Sequence, residues 1–134
     1  MSDSNIFSLI KNMQPQLHEG AYVFCTVQQL SSEIIQNCIM IFKEEEAFTV
    51  ILDKQYADKR AINYQYVAAW ITLKVYSSLE ATGFTTAFSR ALSDERISCN
   101  VVAAYHHDHI FVAFKDGERA MKTLKNLSNQ FKST

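Results

Sequence analysis

Apolar residues recur at Ile6, Leu9, Ile10 and Met13, the spacing of one helical face. Pro15 punctuates that pattern, and Gly20 ends the connection that follows. Ala21 to Val27 is rich in β-formers and predicts a strand. Gln28 to Asn37 is polar and weakly patterned, which suits a loop with a helical turn. Cys38 to Phe42 predicts a buried strand, Lys43 to Glu46 a charged turn, and Ala47 to Leu52 another strand. Asp53 is placed to cap a short helix running to about Ala61.

The second half is more regular. Val67, Ala69, Ile71, Leu73 and Val75 share one face of a long strand, while Thr72 and Lys74 mark the other face as partly solvated. Phe84, Ala87, Phe88, Ala91 and Leu92 make the apolar stripe of a helix. Ile97, Cys99, Val101 and Ala103 alternate, a turn follows at His106 and His107, and Ile110, Val112 and Phe114 alternate again, so a hairpin is expected. Asp116 is placed to cap a last helix with the stripe Ala120, Leu124, Leu127 and Phe131.

This half reads β-α-β-β-α, the ferredoxin-like order one strand short. The helix-then-strand segment from Ile6 to Val27 holds the missing pattern, so its strand, or one from a partner chain, is expected to complete a shared sheet. A weak internal repeat points the same way. Phe48 to Leu52 with its Asp-led helix resembles Ile110 to Phe114 with its own, and Val23 to Val27 resembles Ile71 to Val75. The first copy has no room for a full first helix and reads as degenerate. The expected fold is α+β, two halves (residues 1–64 and 65–134) sharing antiparallel sheets.

Composition narrows the function classes. The 134 residues suit one compact domain or two small halves, and 3 Gly with 1 Pro leave little flexible linker. A formal net charge of -1 offers no basic field for a nucleic acid. Cys25, Cys38 and Cys99 are odd in number, widely spaced and without a CxxC pair, so they read as small buried hydrophobes. Met1 to Asn5 has no basic start or apolar run of a secretion signal, and no stretch reaches a membrane span, so the expected location is cytoplasmic.

Two clusters carry candidate chemistry. In Tyr105-His106-His107-Asp108-His109, a strand would turn His107 and His109 to one side, where two imidazoles suit zinc or nickel given a third ligand. A single HxH is weak, and the run reads first as a polar turn that holds no metal. The other cluster, Ser77-Ser78-Leu79-Glu80-Ala81-Thr82-Gly83-Phe84, joins a strand to a helix. Ser77 and Glu80 have capping-box spacing. A strand-to-helix turn also presents free backbone N–H groups to a carboxylate, and Gly83 permits a close approach. On this reading Gly83→Val abolishes ligand stabilisation and leaves the fold. No GxSxG, GxGxxG, Walker loop or HExxH is present, so neither catalysis nor a cofactor is expected.

The run Ile71 to Val75, the Ser77 to Phe84 turn and Ile97 to Val112 together resemble the ACT-domain family, in particular small, mostly uncharacterised bacterial proteins with tandem ACT-like halves. Gly20 to Val27 is similar to a segment that recurs in them. The resemblance implies a ferredoxin-like fold, side-by-side pairing into a homodimer or higher homo-oligomer, and an amino acid bound where ACT halves meet. The family's usual site is the turn after the first strand, often Asp-x-Pro-Gly. Gly83 matches its glycine, whereas Ala81 and Thr82 stand in the preceding positions. Asn100 resembles a recurrent polar position on the second strand. The resemblance therefore implies a ligand site of Ser77, Ser78, Glu80, Thr82, Gly83 and Asn100 in a regulatory protein.

Overall fold

A computed structural model describes residues 5–132. Met1 to Ser4, most of the opening segment read above as no secretion signal, lie outside them. In chain order the elements are α1 (Ile6–Asn12), β1 (Gln14–Leu17), β2 (Tyr22–Val27), α2 (Ser32–Asn37), β3 (Cys38–Lys43), β4 (Phe48–Asp53), α3 (Lys54–Lys59), β5 (Val67–Lys74), α4 (Phe84–Asp94), β6 (Asn100–Ala103), β7 (Asp108–Ala113) and α5 (Gly117–Lys132). They form two compact units. One joins the described residues up to His18 with those from Ala69 onward, and the other is Glu19–Ala68.

Within Glu19–Ala68, β2 pairs antiparallel with β4 from Tyr22↔Asp53 to Val27↔Phe48, and β4 pairs with β3. On its other side β2 takes Ala68 and Val67, the first residues of β5, opposite Tyr22 and Val23. The alternation of β2 and β4 sends Val23, Cys25, Val50 and Leu52 to one face, where Ala57 of α3 closes a small core. Its helices are short and locally specified. The Ser31 hydroxyl caps α2 by accepting from Ile34 N–H, and the Asp53 carboxylate caps α3 by accepting from Gln55 N–H.

The other unit orders its strands β1-β5-β7-β6. Numbered from β5 onward, with β1 in fourth place, this is 4-1-3-2. The Glu19–Ala68 unit, numbered from β2 with the start of β5 in fourth place, reads the same. The ferredoxin-like order is thus complete in both.

The completing strand differs from the expected one. It is the four-residue β1, in the stretch read as a connection because of Pro15, and it pairs from Gln14↔Lys74 to Leu17↔Ile71. Tyr22–Val27 serves the other unit instead. Proline is tolerated because β1 has a ladder partner on one side only.

Ala69, Ile71 and Leu73 of β5 and Ile110 and Val112 of β7 face a core with Leu9 and Ile10 of α1, Phe84, Phe88 and Leu92 of α4, and Ala120 and Leu124 of α5. The expected helical stripes therefore point inward. β6 is shorter than the alternation from Ile97 suggested. Ile97 is buried in the turn after α4, while Val101 and Ala103 on β6 are exposed. Thr72, expected with Lys74 on a partly solvated face, is only 4% exposed, while Lys74 is exposed. Asp116 lies in a single 3-10 turn, Phe114–Asp116, ahead of α5, and its carboxylate takes Arg119 at 3.2 Å.

Candidate functional site

The turn from β5 to α4 gathers five of the six expected ligand residues. Val75 N–H donates to the Leu73 carbonyl and Ser77 N–H to the Val75 carbonyl, each at 3.0 Å, so the strand ends in two tight successive bends. The Ser78 hydroxyl then accepts from Glu80 N–H at 3.1 Å, and the Ser78 carbonyl accepts from Ala81 N–H at 2.9 Å. The capping box expected at Ser77 and Glu80 is therefore not formed. Helix α4 starts at Phe84, too late for it, and Ser78 builds a local serine turn instead.

Gly83 is the N-cap of α4, with φ of 88°, and no side chain caps this end. A methyl placed there would come within 2.8 Å of Ile6 Cδ1. Gly83→Val thus strains the left-handed backbone and makes the tip of the Ile6 side chain move aside, so the substitution carries a stability cost apart from any effect on a ligand. Glu80 and Thr82 are exposed, and Ser77 and Ser78 are half-buried. Asn100 stands apart from this turn in the sequence, on β6, and its side-chain amide donates to the Phe111 carbonyl at 3.2 Å across the hairpin.

The histidine run is split. Tyr105 and His106 are exposed at the turn. The His107 ring stacks on Tyr76 at 5.1 Å, and its buried Nδ1 has no hydrogen-bond partner. His109 lies within β7 and joins residues the sequence did not bring together. Trp70 Nε1–H donates to His109 Nδ1 at 3.1 Å, and Thr72 Oγ1 lies 3.0 Å from the same nitrogen. Thr72 Oγ1 is also 2.7 Å from His18 Nε2, and the His18 ring stacks on Trp70 at 3.6 Å. The available signal was the shared parity of Trp70 and Thr72 on β5. His18 was hidden because β1, which it follows, was not foreseen.

Burial lowers the pKa of both imidazoles, with nearby positive charge adding to it, from Lys74 at His18 and from His107 and His18 at His109. Burial raises the Asp108 carboxyl, opposed by His107. Burial also pushes the Cys99 thiol up to about 11, which suits a packing residue and not a nucleophile. Among the described residues, no group of three or more His, Cys, Asp or Glu side chains is arranged to hold a metal ion.

Two models of the ACT domain match the chain in tandem, one over residues 3–69 and the other over residues 65–126. The chain belongs to the ACT-domain family.

Solved structures agree with that assignment. A Vibrio cholerae protein of unknown function, described as a "possible transport protein", is 36% identical and covers 91% of this ACT protein and 94% of its own chain, with a TM-score of 0.82. Aspartate kinase from Clostridium acetobutylicum is 11% identical with a TM-score of 0.61. That match covers 88% of this ACT protein but 34% of the kinase. The regulatory subunit of aspartate kinase from Thermus thermophilus, in a ligand-free form, is 8% identical with a TM-score of 0.62 and covers 85% and 97% of the two chains. The last two likenesses establish a shared fold. No curated protein matches. Among the described residues, no helix is long and apolar enough to cross a membrane.

Proposed function

We propose that this ACT protein is a non-catalytic cytoplasmic regulator. It binds an amino acid or similar small molecule between ACT-like halves, in a homodimer or higher homo-oligomer, and uses neither membrane nor nucleic acid. Ser77, Ser78, Glu80, Thr82, Gly83 and Asn100 surround the ligand. The observation that carries this reading is the open start of α4. Gly83 takes a left-handed conformation and no side chain caps the helix, while the Ser78 hydroxyl in the turn that leads to it bonds only locally, to Glu80 N–H. That combination favours a carboxylate. The regulatory-subunit likeness supports a regulatory role. Binding acts by favouring one arrangement of the halves over another, which shifts a population without any chemical step.

A backbone-assigned NMR spectrum recorded against the common amino acids tests the placement. One or two amino acids should shift the amides of residues 77–86 and Asn100. Shifts confined to other residues would move the site elsewhere.

A second reading has an observation of its own. The edge strands carry exposed apolar residues, with Phe42 63% and Ile41 37% exposed on β3 and Val101 36% exposed on β6. Such edges invite strand pairing with another chain. A ligand-free interaction module acting through homo-oligomerisation predicts amides that no amino acid shifts, in an assembly that dissociates on dilution.

A further inference from the structure

The protons in the His18–Thr72–His109–Trp70 cluster can be assigned from chemistry alone. An indole N–H can only donate, so the His109 Nδ1 that faces it at 3.1 Å carries a lone pair. His109 is then neutral, with its proton on Nε2. With Nδ1 unprotonated, the Thr72 hydroxyl, 3.0 Å away, is the donor of that contact and shares the single lone pair with the indole, in a bifurcated arrangement weaker than two separate hydrogen bonds. The Thr72 oxygen is then free to accept, and His18 Nε2, at 2.7 Å, donates to it. One nitrogen thus ends a directed chain: His18 to Thr72 to His109, with Trp70 donating from the other side.

This chain also fastens β1. His18 follows Leu17 directly, its backbone N–H donates to the Trp70 carbonyl at 2.9 Å, and its ring covers the indole. β1 has four residues and includes a proline that cannot donate, so this end contact adds to a weak ladder.

We propose that the cluster is an acid-sensitive latch: a proton arriving on His109 Nδ1 turns the shared acceptor into a donor, expels the Trp70 indole N–H and opens the His18–Trp70 stack that secures the end of β1. The proton comes from solvent and no covalent bond changes. Thr72 adapts by rotating its hydroxyl, whereas the indole has no second acceptor role to adopt. The charges that act on His109 are those of His107, just ahead of β7, and His18, after β1; Lys74 on β5 acts in turn on His18, and Asp108, the residue before His109 on β7, faces His107. The cross-strand partner of His109 on β6 is the apolar Val102. The positive neighbours oppose protonation, and burial does so most, which places the switch below the ordinary histidine value of 6.5.

Trp70 is the chain's one tryptophan, so its emission reports the latch without labelling. The full-length protein should show an emission change with a midpoint below pH 6.5, ahead of global unfolding. That change should vanish in His109→Gln, whose amide can accept but not titrate, and persist in His107→Gln. Emission that stays flat until the protein unfolds, or a transition that survives His109→Gln, would overturn the latch. Should His109→Gln not fold, nitrogen-15 shifts of the wild-type imidazoles decide. A neutral Nε2–H tautomer at His109, titrating together with the Trp70 indole proton, upholds it. An Nδ1–H tautomer, or a titration the indole does not follow, refutes it.

Discussion

At His109 and His18, burial works against charge, and the sign of its effect on stability follows. Both folded pKa values lie below 6.5, so the unfolded chain binds protons more readily than the native one. The stability these imidazoles contribute is therefore fully present above pH 6.5 and is lost as pH falls below it. Asp108 runs the other way. Its folded pKa is raised, so the native state gains stability as pH falls from that raised value toward 3.8. In Asp108→Asn the opposing group is gone, and the thermal midpoint should hold from pH 8 to 6.5 and then fall to pH 5. A midpoint that rises over the lower interval would contradict the burial argument. The sequence showed Trp70 and Thr72 on one face of β5 but not their partners. A hydrogen-bonded cluster drawn from β5, β7 and the residue after β1 depends on register, which hydrophobic alternation does not encode.

The elements that were legible are those whose packing dominates their propensity. Helices α4 and α5 each carry an apolar stripe that the core accepts, and β5 alternates along its length. Asp53 caps α3 as its position before a helical run implied. β1 was not legible, since Gln14, Pro15 and Gln16 carry no strand signal and only the exposed flank of β5 calls them into the sheet. The turn before α4 was legible as a turn but not in its capping, because the serines bond locally and glycine takes the N-cap. Gly83→Ala is the element-scale test. The left-handed backbone alone costs about 1–2 kcal/mol in a non-glycine residue, and the approach of Ile6 adds to it. Urea unfolding should show a lower midpoint with an unchanged slope. An unchanged midpoint would mean that α4 can start in another way.

At the scale of the molecule, the tandem character was visible as a faint repeat, and the two units show why it was faint. Both have the same strand order, yet α2 has six residues where α4 has eleven, and α3 has six where α5 has sixteen. Core-facing strand positions survive such divergence better than helix length does. Function was less legible than fold, since the proposed site at the start of α4 rests on backbone N–H groups, which every residue but proline supplies. If the protein answers to an amino acid, thermal unfolding against a panel of the common amino acids will reveal it. A ligand at about 100 times its dissociation constant adds about 2.7 kcal/mol to the native state. The midpoint should rise clearly for one or two amino acids and stay put for the rest. A midpoint unmoved across the whole panel would contradict an amino-acid ligand and favour the interaction module.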